Sequence, residues 1–271
     1  MAAGVVAEDL VKAGTQKGCD NPTALWSSTS FLNLVQSGKR RERDSLDLFA
    51  VKASMLPDAD VYAAAERLDQ RYAYCFFKRL FDITFSALVL VLLSGPMLLV
   101  ALAIKLDSPG PALFRQERVS KGGRRFYIWK FRSMYQNAEK RLPELRKLNE
   151  KDGPVFKIKD DPRITRLGRF IRKTSIDELP QFFNVFVGDI SVVGPRPALP
   201  SEVARYTERH QQRLLVKGGI TCYWQTRRNR DYISFDDWVS LDLLYVRQCS
   251  LWTDLKLIIQ TIGVVLAAQG S

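Results

Sequence analysis

Residues 83–104 read ITFSALVLVLLSGPMLLVALAI, 22 positions without a charge, and no other feature limits the fold of this chain as much. A straight helix of that length is roughly 33 Å long, enough for a hydrocarbon core of about 30 Å. Ser94-Gly95-Pro96 interrupts it midway. Proline removes a backbone donor and crowds the preceding turn, so a kink or break is expected there. The two arms are then roughly 16 Å and 12 Å long, and neither spans alone. Lys78 and Arg79 precede the run, and Lys105, Arg115 and Arg118 follow it. The positive-inside tendency therefore pulls both ends toward the cytoplasm. A re-entrant hairpin and a kinked crossing helix both fit, and the helix of a soluble core is a third option.

Charge narrows the partners. The chain carries a formal +12 with a pI near 9.6, and between Lys105 and Lys173 stand 20 Lys/Arg against 8 Asp/Glu. Such a surplus points to phosphates, whether of nucleic acid, anionic lipid or a phosphorylated substrate. Four widely spaced cysteines (Cys19, Cys75, Cys222, Cys249) suggest reduced thiols rather than a disulfide or zinc framework. With His210 the single histidine, a histidine-based metal site or triad is disfavoured. The N-terminus lacks the basic and apolar regions of a secretory signal.

Along the chain, residues 1–55 show little periodicity and read as a flexible tail. From Ala59 to Phe77 the pattern suits an amphipathic helix leading into the apolar run. ALFRQERV-SKGG-RRFYIWKFRSM alternates apolar and polar residues around a Gly-Gly turn, predicting a β-hairpin over roughly 112–132. Residues 136–150 suggest a surface helix or connector. Asp161-Pro162 is expected to open a helix carrying Arg163, Arg166, Arg169 and Arg172 as a drifting stripe. Residues 234–268 read as two helices, the second strongly apolar on one face and suited to core packing or an interface.

The chemistry concentrates in RKTSIDELPQFFNVFVGDISVVGPRP, residues 172–197. Leu179, Phe182, Phe183 and Phe186 mark the apolar face of a helix ended by Gly188, with Pro180 in its first turn. Asp177 and Glu178 then lie at the helix start, beside free amides and the positive dipole end. Ser175-x-x-Glu178 also matches a capping box, a purely structural use of the same residues. Arg172 lies upstream, and Arg196 stands in a Gly194-Pro195-Arg196-Pro197 turn after an ISVV strand. Acids that take Mg²⁺ beside guanidinium groups that take phosphate are what phosphoryl transfer requires. No Walker pattern is present.

KRLFD, SPGPALFRQERV, WKFRSM, DPRITRLGRFIRKTSIDELPQ, GDISVVGPRP and LDLLYV…SLWTDLKLI follow one another in order. In this the chain from Lys78 onward resembles the bacterial sugar transferases, the monotopic polyprenyl-phosphate phosphoglycosyl transferases. The resemblance implies an α+β, mostly helical monotopic protein with one re-entrant membrane helix, a small β-hairpin and amphipathic interfacial helices. The chain would divide into the tail 1–55, a leader and membrane helix over 56–107, and a catalytic domain over 108–271 on the cytoplasmic face of the bacterial inner membrane. It implies transfer of a sugar 1-phosphate from a UDP-sugar to undecaprenyl phosphate, with Mg²⁺, at the start of cell-surface glycan assembly. Carried over by motif, Asp177 is the nucleophile, and Glu178 completes the dyad and helps hold the metal. Arg172 and Arg196 hold phosphates, with Lys130 and Arg132 of WKFRSM as further candidates. Implied partners are the bilayer, downstream glycosyltransferases and a second copy in a homodimer, with nucleic acid excluded.

Three departures stand out. The usual P-G-[IL]-T-G-x-W-Q segment reads Gly218-Gly219-Ile220-Thr221-Cys222-Tyr223-Trp224-Gln225, followed by Arg227 and Arg228. The helix break reads Ser-Gly-Pro rather than Ser-Pro. No block of spans precedes the matching part, as expected of short members with a different leader. The rival from another class is a catalytically inactive membrane-anchored scaffold.

Overall fold

The computed structural model describes residues 57–150, 152–158, 160–227 and 233–266, so the expected tail at 1–55 lies outside them. Three helices begin the described chain: α1 (Ala59–Asp69), α2 (Tyr72–Leu92) and α3 (Ser94–Asp107). The amphipathic helix expected over 59–77 is corrected here, because it ends at Asp69 and residues 72–77 already belong to α2. The break falls at Arg71, whose backbone leaves the helical region at φ −85°, ψ 66° and whose guanidinium donates to the Cys249 carbonyl at 2.7 Å. Between α2 and α3 the axis bends by 61°, and the ladder resumes past Pro96 with Met97 N–H donating to Leu93 O at 2.8 Å. No single described helix is long and apolar enough to cross a membrane; α2 and α3 are so only as a bent pair. Leu88, Val91, Leu92, Leu98, Leu99, Leu102 and Leu106 are all exposed, which removes the soluble-core option for this segment.

Lys78 and Arg79 are not free flanking charges. Lys78 Nζ reaches Asp254 at 2.8 Å, the Val193 carbonyl and Tyr245 Oη. Arg79 donates to the carbonyls of Val185 and Phe186, both at 2.7 Å. The buried carboxylate of Asp82 accepts from Ser191 Oγ and Val192 N–H, each at 3.0 Å. The KRLFD motif thus fastens α2 to the following domain, and its two cations report on packing rather than on topology.

The hairpin forms as expected, with β1 (Leu113–Val119) antiparallel to β2 (Arg125–Phe131). Its turn needs positive φ at Gly122 and Gly123, a conformation glycine adopts without penalty. Next comes α4 (Arg166–Lys173), four residues later than Asp161-Pro162 suggested. Thr165 caps it, its hydroxyl accepting from Gly168 N–H at 2.9 Å. Asp161 instead folds back on Arg163 at 2.6 Å, so Arg163 leaves the arginine stripe.

α5 (Gln181–Val187) ends at Gly188 with φ 95°. Its apolar face is half as expected: Leu179 and Phe182 pack against the core clusters, but Phe183 and Phe186 are exposed while Gln181, Asn184 and Val185 are buried. Asn184 explains this, since it accepts from Trp129 N–H at 2.9 Å and donates to Tyr127 O at 2.8 Å, docking α5 on β2. A short parallel pair, β3 (Ser191–Val193) and β4 (Gly219–Thr221), follows. α6 (Phe235–Gln248) and α7 (Leu251–Leu266) complete the described chain. Val61 and Ala65 of α1 share one core with Val185, Ile190, Val239, Leu243, Val246 and Leu257. Arg247 of α6 pairs with Asp58 and Asp60 at 2.9 Å and 2.7 Å. The chain before the bent pair therefore packs on the chain after it.

Candidate active site

After α4 the backbone turns left-handed at Ser175, φ 58°, and enters a 3₁₀ turn over Ile176–Glu178. The expected capping box does not form, because Ser175 makes no capping bond and Glu178 is drawn elsewhere. Its carboxylate pairs with Lys130 Nζ of β2 at 2.7 Å, and Gln181 adds a hydrogen bond. Asp177 is 8 % exposed, and among the described residues no hydrogen bond or ion pair takes up its carboxylate.

The two acids are driven apart. Burial pushes the Asp177 carboxyl up, Lys130 pulls against it, and the charge of Glu178 adds to the rise. Burial also resists ionisation of Glu178, but Lys130 and Arg196 outweigh it and hold that carboxyl below its ordinary range. One acid is thus a fixed counter-ion, and the other is a carboxylate kept for a ligand.

Cations surround the pair. Lys130, Arg172 and Arg196 all act on Asp177, so the structure brings these three together with both acids, from β2, the last turn of α4 and the turn after β3. Arg132 is not among them, which corrects its expected place. Its guanidinium donates to the carbonyls of Ser108 at 2.6 Å, Ile104 at 3.2 Å and Pro109, closing the end of α3. Arg118 was missed by sequence reasoning. It is buried, donates to Pro197 O at 3.1 Å, and has its pKa lowered to about 10 by burial and then by Arg196. Its pairing opposite buried Phe126 was the available signal. Gln181 was missed as well, being read only as part of a helix.

Asp177 and Glu178 are the carboxylates available to a cation here, and among the described residues no cluster of three or more acidic, His or Cys ligands exists. Two carboxylates suit Mg²⁺ where substrate phosphates and water complete its octahedron. Beside Pro180 lies a groove of about 470 Å³ lined by Leu90, Met97, Leu98, Trp129 and Phe183, among other apolar side chains.

Residues 73–268 match the bacterial sugar transferase family. The chain belongs to that family. It is similar to a galactosyl transferase of Streptococcus agalactiae, 43% identical over 74% of this chain and 44% of that one. It is also similar to an undecaprenyl-phosphate galactose phosphotransferase of Salmonella typhimurium, 42% identical over 72% and 42%. A UDP-glucose:undecaprenyl-phosphate glucose-1-phosphate transferase of Klebsiella pneumoniae is 42% identical over 69% and 39%. The match spans less than half the length of these bacterial sugar transferases.

Proposed function

We propose that this bacterial sugar transferase moves a sugar 1-phosphate from a UDP-sugar to undecaprenyl phosphate, the first membrane step of a surface glycan. The observation that carries the reading is Asp177, a buried carboxylate without an ion pair among the described residues, under the charges of Lys130, Arg172 and Arg196. Its oxygen attacks the sugar-linked phosphorus, a bond to that phosphorus forms, and the bond to UMP breaks with its electrons on the departing UMP. An oxygen of the lipid phosphate then attacks the same phosphorus and releases the Asp177 carboxylate. Neither step needs a proton from the enzyme. Lys130 keeps Glu178 ionised, while Arg172 and Arg196 orient phosphate oxygens that gain charge as the bonds change. Mg²⁺, held by Asp177 and Glu178, would neutralise charge on the diphosphate when bound.

The lipid side of the proposal rests on the exposed apolar pair α2–α3 and on the groove beside Pro180, a setting for a prenyl chain. Packing of α1 against α6 supports re-entry, since both ends of the pair then stay on one face of the bilayer, here the cytoplasmic face of the inner membrane. The relatives' names include both galactose and glucose at nearly equal identity, so identity does not choose the sugar. Purified protein with undecaprenyl phosphate, Mg²⁺ and a panel of UDP-sugars should release UMP with at least one donor. No release with any donor would leave the scaffold reading instead.

A further inference from the structure

Arg196 is flanked by Pro195 and Pro197, which have no N–H, so beyond the Gly194 N–H bond to Thr221 O its turn is held through carbonyls. Four successive carbonyls are held by four residues from three places in the chain. Pro195 O accepts from Gly219 N–H at 2.9 Å, and Ala198 O from Val119 N–H at 2.8 Å. Arg196 O accepts from the Arg213 guanidinium at 3.2 Å, and Pro197 O from Arg118 at 3.1 Å. Arg118 already belongs to the cationic cluster, but Arg213 lies outside it.

Arg213 is 5 % exposed. It donates to Tyr206 Oη at 2.9 Å and faces the fully buried carboxylate of Asp242 on α6 at 2.5 Å. A buried ion pair is a poor stability device, since desolvation offsets most of its attraction and an apolar pair of like volume often serves as well. This pair holds one thing an apolar pair cannot, the peptide carbonyl of the turn that aims Arg196. Tyr206, on the same guanidinium, keeps the fork from swinging away.

We propose that Arg213, oriented by Asp242, is a positioning residue that fixes the Arg196 backbone so that its guanidinium meets a diphosphate. The inference rests on the phosphate role of Arg196 proposed above. It makes α6 part of the active-site frame, although α6 contributes no side chain to the acids.

The test is a double-mutant cycle on the full chain in detergent with Mg²⁺, using UDP as the probe in calorimetric titration. Paired replacement Arg213→Met/Asp242→Leu removes the buried charges together, and its thermal midpoint is measured alongside. The expected result is a midpoint near wild type with UDP bound roughly 10-fold more weakly, the scale of lost outer-shell support. In an Arg196→Gln background the same paired change should add no further loss. Wild-type UDP affinity in the paired variant would overturn the proposal, as would an equal loss in both backgrounds. If the paired variant fails to fold, Arg213→Lys, which keeps a cation against Asp242 but not the fork, enters the same cycle with the same criteria. Turnover is scored apart: a wild type that binds UDP yet releases no UMP with any donor refutes the transfer reading and leaves the cycle to decide Arg213. A wild type that binds no UDP refutes both.

Discussion

Asp177 and Glu178 are adjacent in sequence and of like chemistry, yet Lys130 takes one and leaves the other. Asp177→Asn should therefore lower UMP release by on the order of 10⁴-fold or more, the scale seen when a nucleophile is removed. Glu178→Gln should lose less and should also slacken Lys130. The carboxyl of Asp177, raised to about 6 in the absence of a metal, must be ionised to attack; Mg²⁺ beside it favours the charged form, so the acid limb of turnover should lie below about pH 6. Because Lys130 lowers that pKa, Lys130→Met should move the acid limb of the pH–rate profile to higher pH. A limb that stays put would separate the titration from Asp177. That the acids lie beside Arg172 and Arg196 could be anticipated from their one stretch of sequence, whereas Lys130 entered only through the family resemblance. Arg132 was taken for a site cation and Arg118 passed over, because partners and burial decide between a site cation and a helix-end clamp, and the hairpin register that sets Arg118 opposite Phe126 is the one sequence-level hint of either. Ser175 misled for a related reason: the capping spacing is local, and the tertiary pair of Glu178 with Lys130 overrode it.

Among the elements, α2 does two jobs on one helix, with an apolar outer side and a polar inner line of Lys78, Arg79 and Asp82. Sequence reading placed the apolar stretch and its break correctly, since absence of charge and a proline are local facts. It ran the leader helix past the break at residues 70–71 and took Lys78 and Arg79 for flanking charges, because polar residues that grip another element look so until the partner is seen. Asp82 is the most exacting of the three. Asp82→Ala strands the Val192 N–H in a buried site, an omission worth about 1–3 kcal/mol, and thermal unfolding in detergent micelles should show it. Asp82→Asn keeps an acceptor and should lose less. Glycines give a matched contrast. A Cβ on Gly219 would stand 2.2 Å from Gly194 N and 2.5 Å from Val193 C, backbone that cannot yield, whereas one on Gly95 meets nothing within 4 Å. Gly219→Ala should thus unfold the β3–β4 junction and lower the melting midpoint. Gly95→Ala should leave it unchanged or raise it slightly, since alanine is the better helix former by roughly 1 kcal/mol. A drop for Gly95→Ala equal to that for Gly219→Ala would refute this division.

At the scale of the whole molecule, the exposed apolar residues do not lie on the bent pair alone. Phe183 and Phe186 of α5 and Leu251, Trp252, Leu255, Ile259 and Ile262 of α7 are exposed as well, more apolar surface than a solvated monomer ordinarily leaves open. The proposed re-entry would give that surface a use, and packing argues for it more than composition does. If α2–α3 crossed the bilayer, α1 and α6 would stand on opposite faces, yet Val61 is completely buried in the core they share and Arg247 binds Asp58 and Asp60. Breaking those contacts would expose several buried side chains and strand the aspartates, while the apolar run 83–104 enters the bilayer in either arrangement. Cysteines introduced one at a time at Gln70 and Asn137, in a background where Cys19 and the exposed Cys75 are serine and only the buried Cys222 and Cys249 remain, read the outcome directly. Both should resist a membrane-impermeant maleimide on intact cells and both should react after permeabilisation. One labelled and one protected on intact cells would mean that the pair crosses, and would also place the α1–α6 contact outside the native state.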